Sequence, residues 1–75
     1  MINTSDIAAY IRCQPFDRFD IRMSDGRVYT VDHPEFVHMS RKGNVIYHST
    51  DDDRLITIAV SQITTLEKLN SPRAA

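Results

Sequence analysis

Residues 19–31, FDIRMSDGRVYTV, alternate in polarity on both sides of an Asp25-Gly26 pair, and that pattern restricts the stretch to a β-hairpin. Phe19, Ile21 and Met23 are apolar, whereas Asp20, Arg22 and Ser24 are charged or polar. A period of two places the first set on one face of a strand and the second on the other. The turn needs a residue at positive φ, which Gly26 supplies without steric cost. A second run then resumes with Val28, Tyr29, Thr30 and Val31.

Upstream, the spacing predicts a short helix. Thr4 or Ser5 can cap it, and Asp6 sits near the positive end of its dipole. Ile7, Tyr10 and Ile11 recur at helical intervals. Pro15 disfavours a helical Gln14, so the helix should end near Arg12 or Cys13. Two turns do not persist alone in water, and the Ile7/Tyr10/Ile11 face is therefore expected to dock on a sheet.

Downstream, Pro34 cannot donate to a ladder and so marks an edge or a break. Residues 36–39 restart an extended run, Gly43-Asn44 suits a tight turn, and residues 45–48 read as a further strand. Asp51, Asp52 and Asp53 make an acidic loop. In residues 55–60, Ile56, Ile58 and Val60 share one face, and Leu55, Thr57 and Ala59 the other. Residues 61–69 fit both templates. Ile63, Leu66 and Glu67 have helical spacing, while Thr64 and Thr65 favour a strand; a turn at 61–63 followed by a strand from Thr64 to about Glu67 is preferred. Residues 70–75 read as a tail.

These elements predict a mainly β (α+β) fold over residues 1–75, ordered from about 3 to 68. It has a short N-terminal helix and then a four- to five-stranded, strongly bent antiparallel sheet or small barrel. The expected core is Phe19, Ile21, Met23, Tyr29, Val31, Ile56, Ile58 and Val60, capped by Ile7 and Ile11. Seventy-five residues suffice for one small core. Nine basic and ten acidic residues leave a net charge of -1, which gives no overall attraction to nucleic acid or anionic membrane. No secretory apolar core follows Met1 and no apolar run approaches a membrane span, so the expected location is the cytoplasm, without membrane contact. The single Cys13 reads as a reduced structural thiol.

Candidate chemistry is sparse. His33, Glu35, His38, His48 and the three aspartates include metal-ligand types, but His33 and His38 are five positions apart across a proline, and the aspartates lack the glycine and distal glutamate of a calcium loop. Cys13 has three histidines as conceivable bases, but none is placed beside it by spacing. Asp17 and Asp20 are expected to balance Arg18 and Arg22 on a solvated face. Arg12, Arg18, Arg22, Arg27, Arg41 and Lys42 could form a basic patch with Phe16 or Tyr29 stacking a base, but Asp17, Asp20 and Asp25 are interleaved among them. No cofactor, metal or catalytic set is expected.

The run PFDRF, then SDGR, then HPEF resembles a group of small uncharacterised bacterial proteins with the same three motifs in the same order, over residues 3–68. That resemblance implies a shared scaffold and no assigned activity. The helix and residues 23–27 also resemble the Sm-like RNA-binding barrels, which place a short helix before five bent strands and often carry an Asp-Gly-Arg turn. Where those proteins have a glycine followed by the Asp and Asn that hold a base, this chain has Asp32-His33-Pro34-Glu35, and the second Sm signature is absent from residues 55–61. The expected function is a non-catalytic interaction module that binds a protein partner or self-associates; the alternative is weak Sm-like RNA binding. The expected contact surface is His33, Pro34, Glu35, Phe36 and Arg41, which combine an edge-marking proline, an aromatic ring, a titratable imidazole and a guanidinium.

Overall fold

The helix begins one residue earlier than its hydroxyl caps suggest. Asn3 is the cap: its side chain accepts from the Asp6 N–H (3.1 Å), and the Asp6 carboxylate accepts from the Asn3 N–H (3.0 Å). This reciprocal box satisfies two of the free donors at a helix start. The computed structural model describes residues 2–69; the tail assigned to 70–75 lies outside the described residues. Helix α1 spans Thr4–Arg12 and buries Ile7.

Strands β1 (Phe19–Met23) and β2 (Val28–Val31) form the expected hairpin. The Gly26 N–H donates to the Met23 carbonyl (3.0 Å), and the Met23 N–H to the Arg27 carbonyl (2.9 Å). Gly26 has φ +93°. The connection is thus a three-residue loop closed by a left-handed glycine, and the Asp25 carboxylate accepts from the Arg27 N–H.

A 3-10 turn at Pro34–Phe36 follows, so Phe36 is not extended as expected. Strands β3 (Val37–Met39), β4 (Val45–Ser49) and β5 (Leu55–Ala59) then form an antiparallel meander. A second 3-10 turn, Val60–Gln62, leads to β6 (Ile63–Lys68), so the ambiguous last segment is a strand. It pairs with β1 through Ile21↔Leu66 and Asp20↔Glu67, and that ladder overrides the helical spacing of Ile63 and Leu66.

Among the described residues six strands make two three-stranded sheets, ordered β2-β1-β6 and β3-β4-β5. This corrects the expected single sheet of four or five strands, and the sheets do not close into a barrel. The 3-10 turn at Pro34 carries the chain from the edge of one sheet to the edge of the other, where a continuous bent strand would have joined them. No helix among the described residues is long and apolar enough to cross a membrane.

One hydrophobic cluster holds Ile7, Phe19, Ile21, Val31, Val37, Ile46, Ile58, Val60, Ile63 and Leu66. Met23, Tyr29, Ile56 and Ile11 are only partly buried; Val37, Ile46, Ile63 and Leu66 take core places that the alternation did not mark. The register of β5 is as expected, with Leu55 exposed and Ile58 buried. Helix α1 lies across the first sheet, where the Tyr10 hydroxyl donates to the Leu66 carbonyl (3.2 Å) and its ring packs edge-on against Phe19.

Asp20 departs from the expected solvated face. It is buried on the central strand, and its carboxylate accepts from the Thr30 hydroxyl (2.7 Å), with Arg22 at 3.8 Å. Arg22 also pairs with Glu67 (2.9 Å), and Arg18 with Asp32 (2.8 Å). These acids and bases neutralise one another across strands rather than making a basic stripe.

Candidate functional cleft

Strand β2 is an edge strand of the first sheet, and a cleft of about 510 Å³ opens beside it. Four consecutive residues, 27–30, line that cleft. Side chains alternate across a strand, so a cleft that touches four in a row runs along the backbone edge. Its other bank is the end of β4 and the loop into β5, with His48, Ser49, Thr50, Asp51, Arg54 and Ile56; Asp32 and Phe36 close one side. A smaller hollow of about 200 Å³ lies against Arg27 and Tyr29 from the side of Thr57, Ile58 and Ala59.

His48 is the unusual group. It is only 5% exposed, its Nδ1 has no hydrogen-bond partner among the described residues, and its ring stands edge-on to Tyr29 with centroids 6.3 Å apart. Burial lowers its pKa below the ordinary imidazole value, against the carboxylates of Asp32 and Asp51 and the main chain of Thr30, which favour the proton. A neutral imidazole carries one N–H, and placing it on Nε2 leaves Nδ1 as a bare acceptor, the cheaper form of an unpartnered nitrogen.

The loop at the mouth is held by short-range bonds. The Thr50 hydroxyl donates to Asp52, Arg54 Nε donates to Asp52 (3.0 Å), and these two partners, Thr50 first, hold the Asp52 carboxyl below its usual range. Asp53 adopts φ +66° in the same turn. On the opposite bank, Tyr29 and then Asp25 raise the pKa of Arg27. Both rim guanidiniums therefore face an aspartate of their own turn. Among the described residues, the Asp51 carboxylate has no hydrogen-bond or ion-pair partner.

Of the residues singled out from sequence, Phe36 reaches the cleft and is half-buried, with His33 edge-on to its ring at 5.1 Å. His33 and Glu35 are exposed and Pro34 is half-buried at the same bend. Arg41 lies beyond β3, in the turn to β4, and no hydrogen bond or ion pair among the described residues ties it to the bend. Among the described residues no three His, Cys, Asp or Glu side chains gather as a metal-ligand set. Cys13 lies 3.5 Å from Lys68 Nζ, and that ammonium also sits over the Tyr10 ring.

Sequence reasoning gave no weight to His48, Asp32, Asp51 or Ile56 as a group. Only the alternation of β4, which turns His48 to the same face as Ile46, could have flagged a buried imidazole. Comparison of the chain with protein-family models, curated proteins and solved structures finds no match to any of the three.

Proposed function

We propose that this protein is a non-catalytic interaction module that receives an extended segment of a protein partner along the edge of β2. The observation that supports it is the run of four consecutive β2 residues lining an open cleft. An unpaired strand edge offers a row of main-chain donors and acceptors, and adding a strand from a partner satisfies them. The cleft walls suit such a segment, since Tyr29, Phe36 and Ile56 offer apolar contact for alternate side chains while polar groups rim the mouth. Phe36 carries the expected contact surface at the Pro34 bend into this site, with His33 beside it and Arg41 further along the second sheet.

The chemistry for a reaction is thin by comparison. Among the described residues no nucleophile partners Nδ1 of His48, and Cys13 touches the Lys68 ammonium. RNA binding of the Sm-like kind remains the competing reading, and it would have to draw on Arg27 and Arg54, each already engaged by an aspartate.

The test uses affinity capture from the native cell with wild type and a folded Phe36→Ala/Arg41→Glu variant, with and without ribonuclease. The captured partner is then returned to the purified protein, and hydrogen exchange is followed in β2. Loss of a ribonuclease-resistant partner in the variant, together with slowed exchange of β2 amides in the complex, is expected. Identical partners and an unchanged oligomeric state would sink the reading; capture that vanishes with ribonuclease would favour RNA, and its affinity should then fall steeply with salt.

A further inference from the structure

We propose that the floor of the cleft, the His48 imidazole beside the carboxylates of Asp32 and Asp51, anchors an arginine side chain carried by the partner strand. This inference rests on the cleft being the docking site, and it specifies what the cleft recognises.

Three observations converge on a cationic hydrogen-bond donor. The first is Nδ1 of His48, a polar atom buried without a partner in a residue that lines the cleft. Such atoms are rare because an unmet polar group inside a protein is costly, and a donor from a ligand removes that cost. The second is the sign of the field. The charges that act on the imidazole are Asp32 and Asp51, both negative. Asp32 shares its charge with Arg18, whereas the Asp51 carboxylate is free of any such partner among the described residues. The third is the wall. Tyr29 and Phe36 supply aromatic surface on which a planar guanidinium stacks, and Ile56 offers apolar contact to its methylene stem.

Arg27 and Arg54 line the same cleft but do not reverse its preference. Each is spent on its own turn, Arg27 on Asp25 and Tyr29, Arg54 on Asp52. A guanidinium from outside meets a bare imidazole nitrogen and a spare carboxylate, and its several donors can engage both at once. An ammonium could neutralise Asp51 but would neither stack nor fork in that way.

The experiment titrates isotope-labelled protein with a short extended peptide of alternating threonine and valine bearing one central arginine, and with twins carrying citrulline or glutamate there. Citrulline keeps the shape and removes the charge. The arginine peptide is expected to shift the His48 imidazole nitrogens and the Asp51 amide, and to bind at least about tenfold more tightly than the citrulline twin. Asp51→Asn, a change in an exposed loop, should remove most of that preference while leaving the β2 amide shifts in place. Equal binding of the arginine and citrulline peptides, with β2 amides still shifting, overturns the anchor and leaves the docking site standing. Preference for the glutamate peptide overturns it too, and assigns the sign of recognition to Arg27 and Arg54. If none of the peptides moves any β2 resonance, both the anchor and the edge-docking reading fall.

Discussion

Replacing Gly43 with alanine should cost clearly more than the same change at Gly26, although both glycines have positive φ, +77° and +93°. For an L-residue, entering the left-handed region costs on the order of 1–2 kcal/mol, and the two substitutions share that loss. They differ in space. A Cβ at Gly26 meets nothing within 4 Å, but one at Gly43 comes to 2.7 Å from the Thr4 Cγ2 methyl. Relief requires Thr4 to leave its rotamer or the start of α1 to lift from the β3–β4 turn, adding about 1 kcal/mol. Gly26→Ala should therefore lower the unfolding free energy by about 1–2 kcal/mol, and Gly43→Ala by about 1 kcal/mol more. Urea unfolding followed by circular dichroism measures both. Thr4→Ser deletes the offending methyl, so the Thr4→Ser/Gly43→Ala pair should recover the excess, with a coupling of about 1 kcal/mol. Equal losses at the two glycines, or additive behaviour of the pair, would refute the contact between helix and turn.

Ile58 is 2% exposed and faces Ile46 across the β4–β5 ladder; Ile58→Ala should cost about 2–5 kcal/mol, enough to unfold a domain of this size, as the urea midpoint will show. Asn3→Ala removes the helix cap and should cost about 0.5–2 kcal/mol by the same measurement. For His48 the folded pKa lies below the unfolded one, so the unfolded chain binds more protons. The stability tied to the neutral imidazole is complete above about pH 6.5 and is lost as pH falls toward the folded pKa. Urea midpoints across that window should decline in wild type and decline less in His48→Phe.

The Asp25-Gly26 hairpin, the helix and the β5 register were legible because each is fixed by neighbours in sequence. The buried Asp20 was not. Its environment is made by Thr30 on one side and the β6 strand on the other, and a carboxylate between Phe19 and Ile21 looks the same in sequence whether its face is open or covered. Val37 stands in a strand of three residues, too short for a period to declare itself. Ile63 and Leu66 fit a helix by spacing, and only their ladder with β1 makes them strand residues. The cleft was least legible of all, since its banks come from residues 27–36 and 48–56. The Pro34 bend was visible as a break, and what the break leaves open depends on where the second sheet sits. Of the expected contact surface only Phe36 lines the cleft, because the 3-10 turn rotates it out of the strand run.

The place of β6 beside β1 governs the order in which this chain can become a protein. Every other strand pair joins neighbours along the sequence, but Arg22 meets Glu67 across 45 residues, whereas Asp20 meets Thr30 across 10. Closing the longer loop costs roughly 1 kcal/mol more entropy, and the return comes only once both partners are in register. The hairpin and the three-strand meander can thus form early and locally, with β6 docking last and sealing Ile21 and Leu66 against each other. Until it docks, one flank of β1 stays open, and the half-made sheet presents a sticky apolar strand to any other chain.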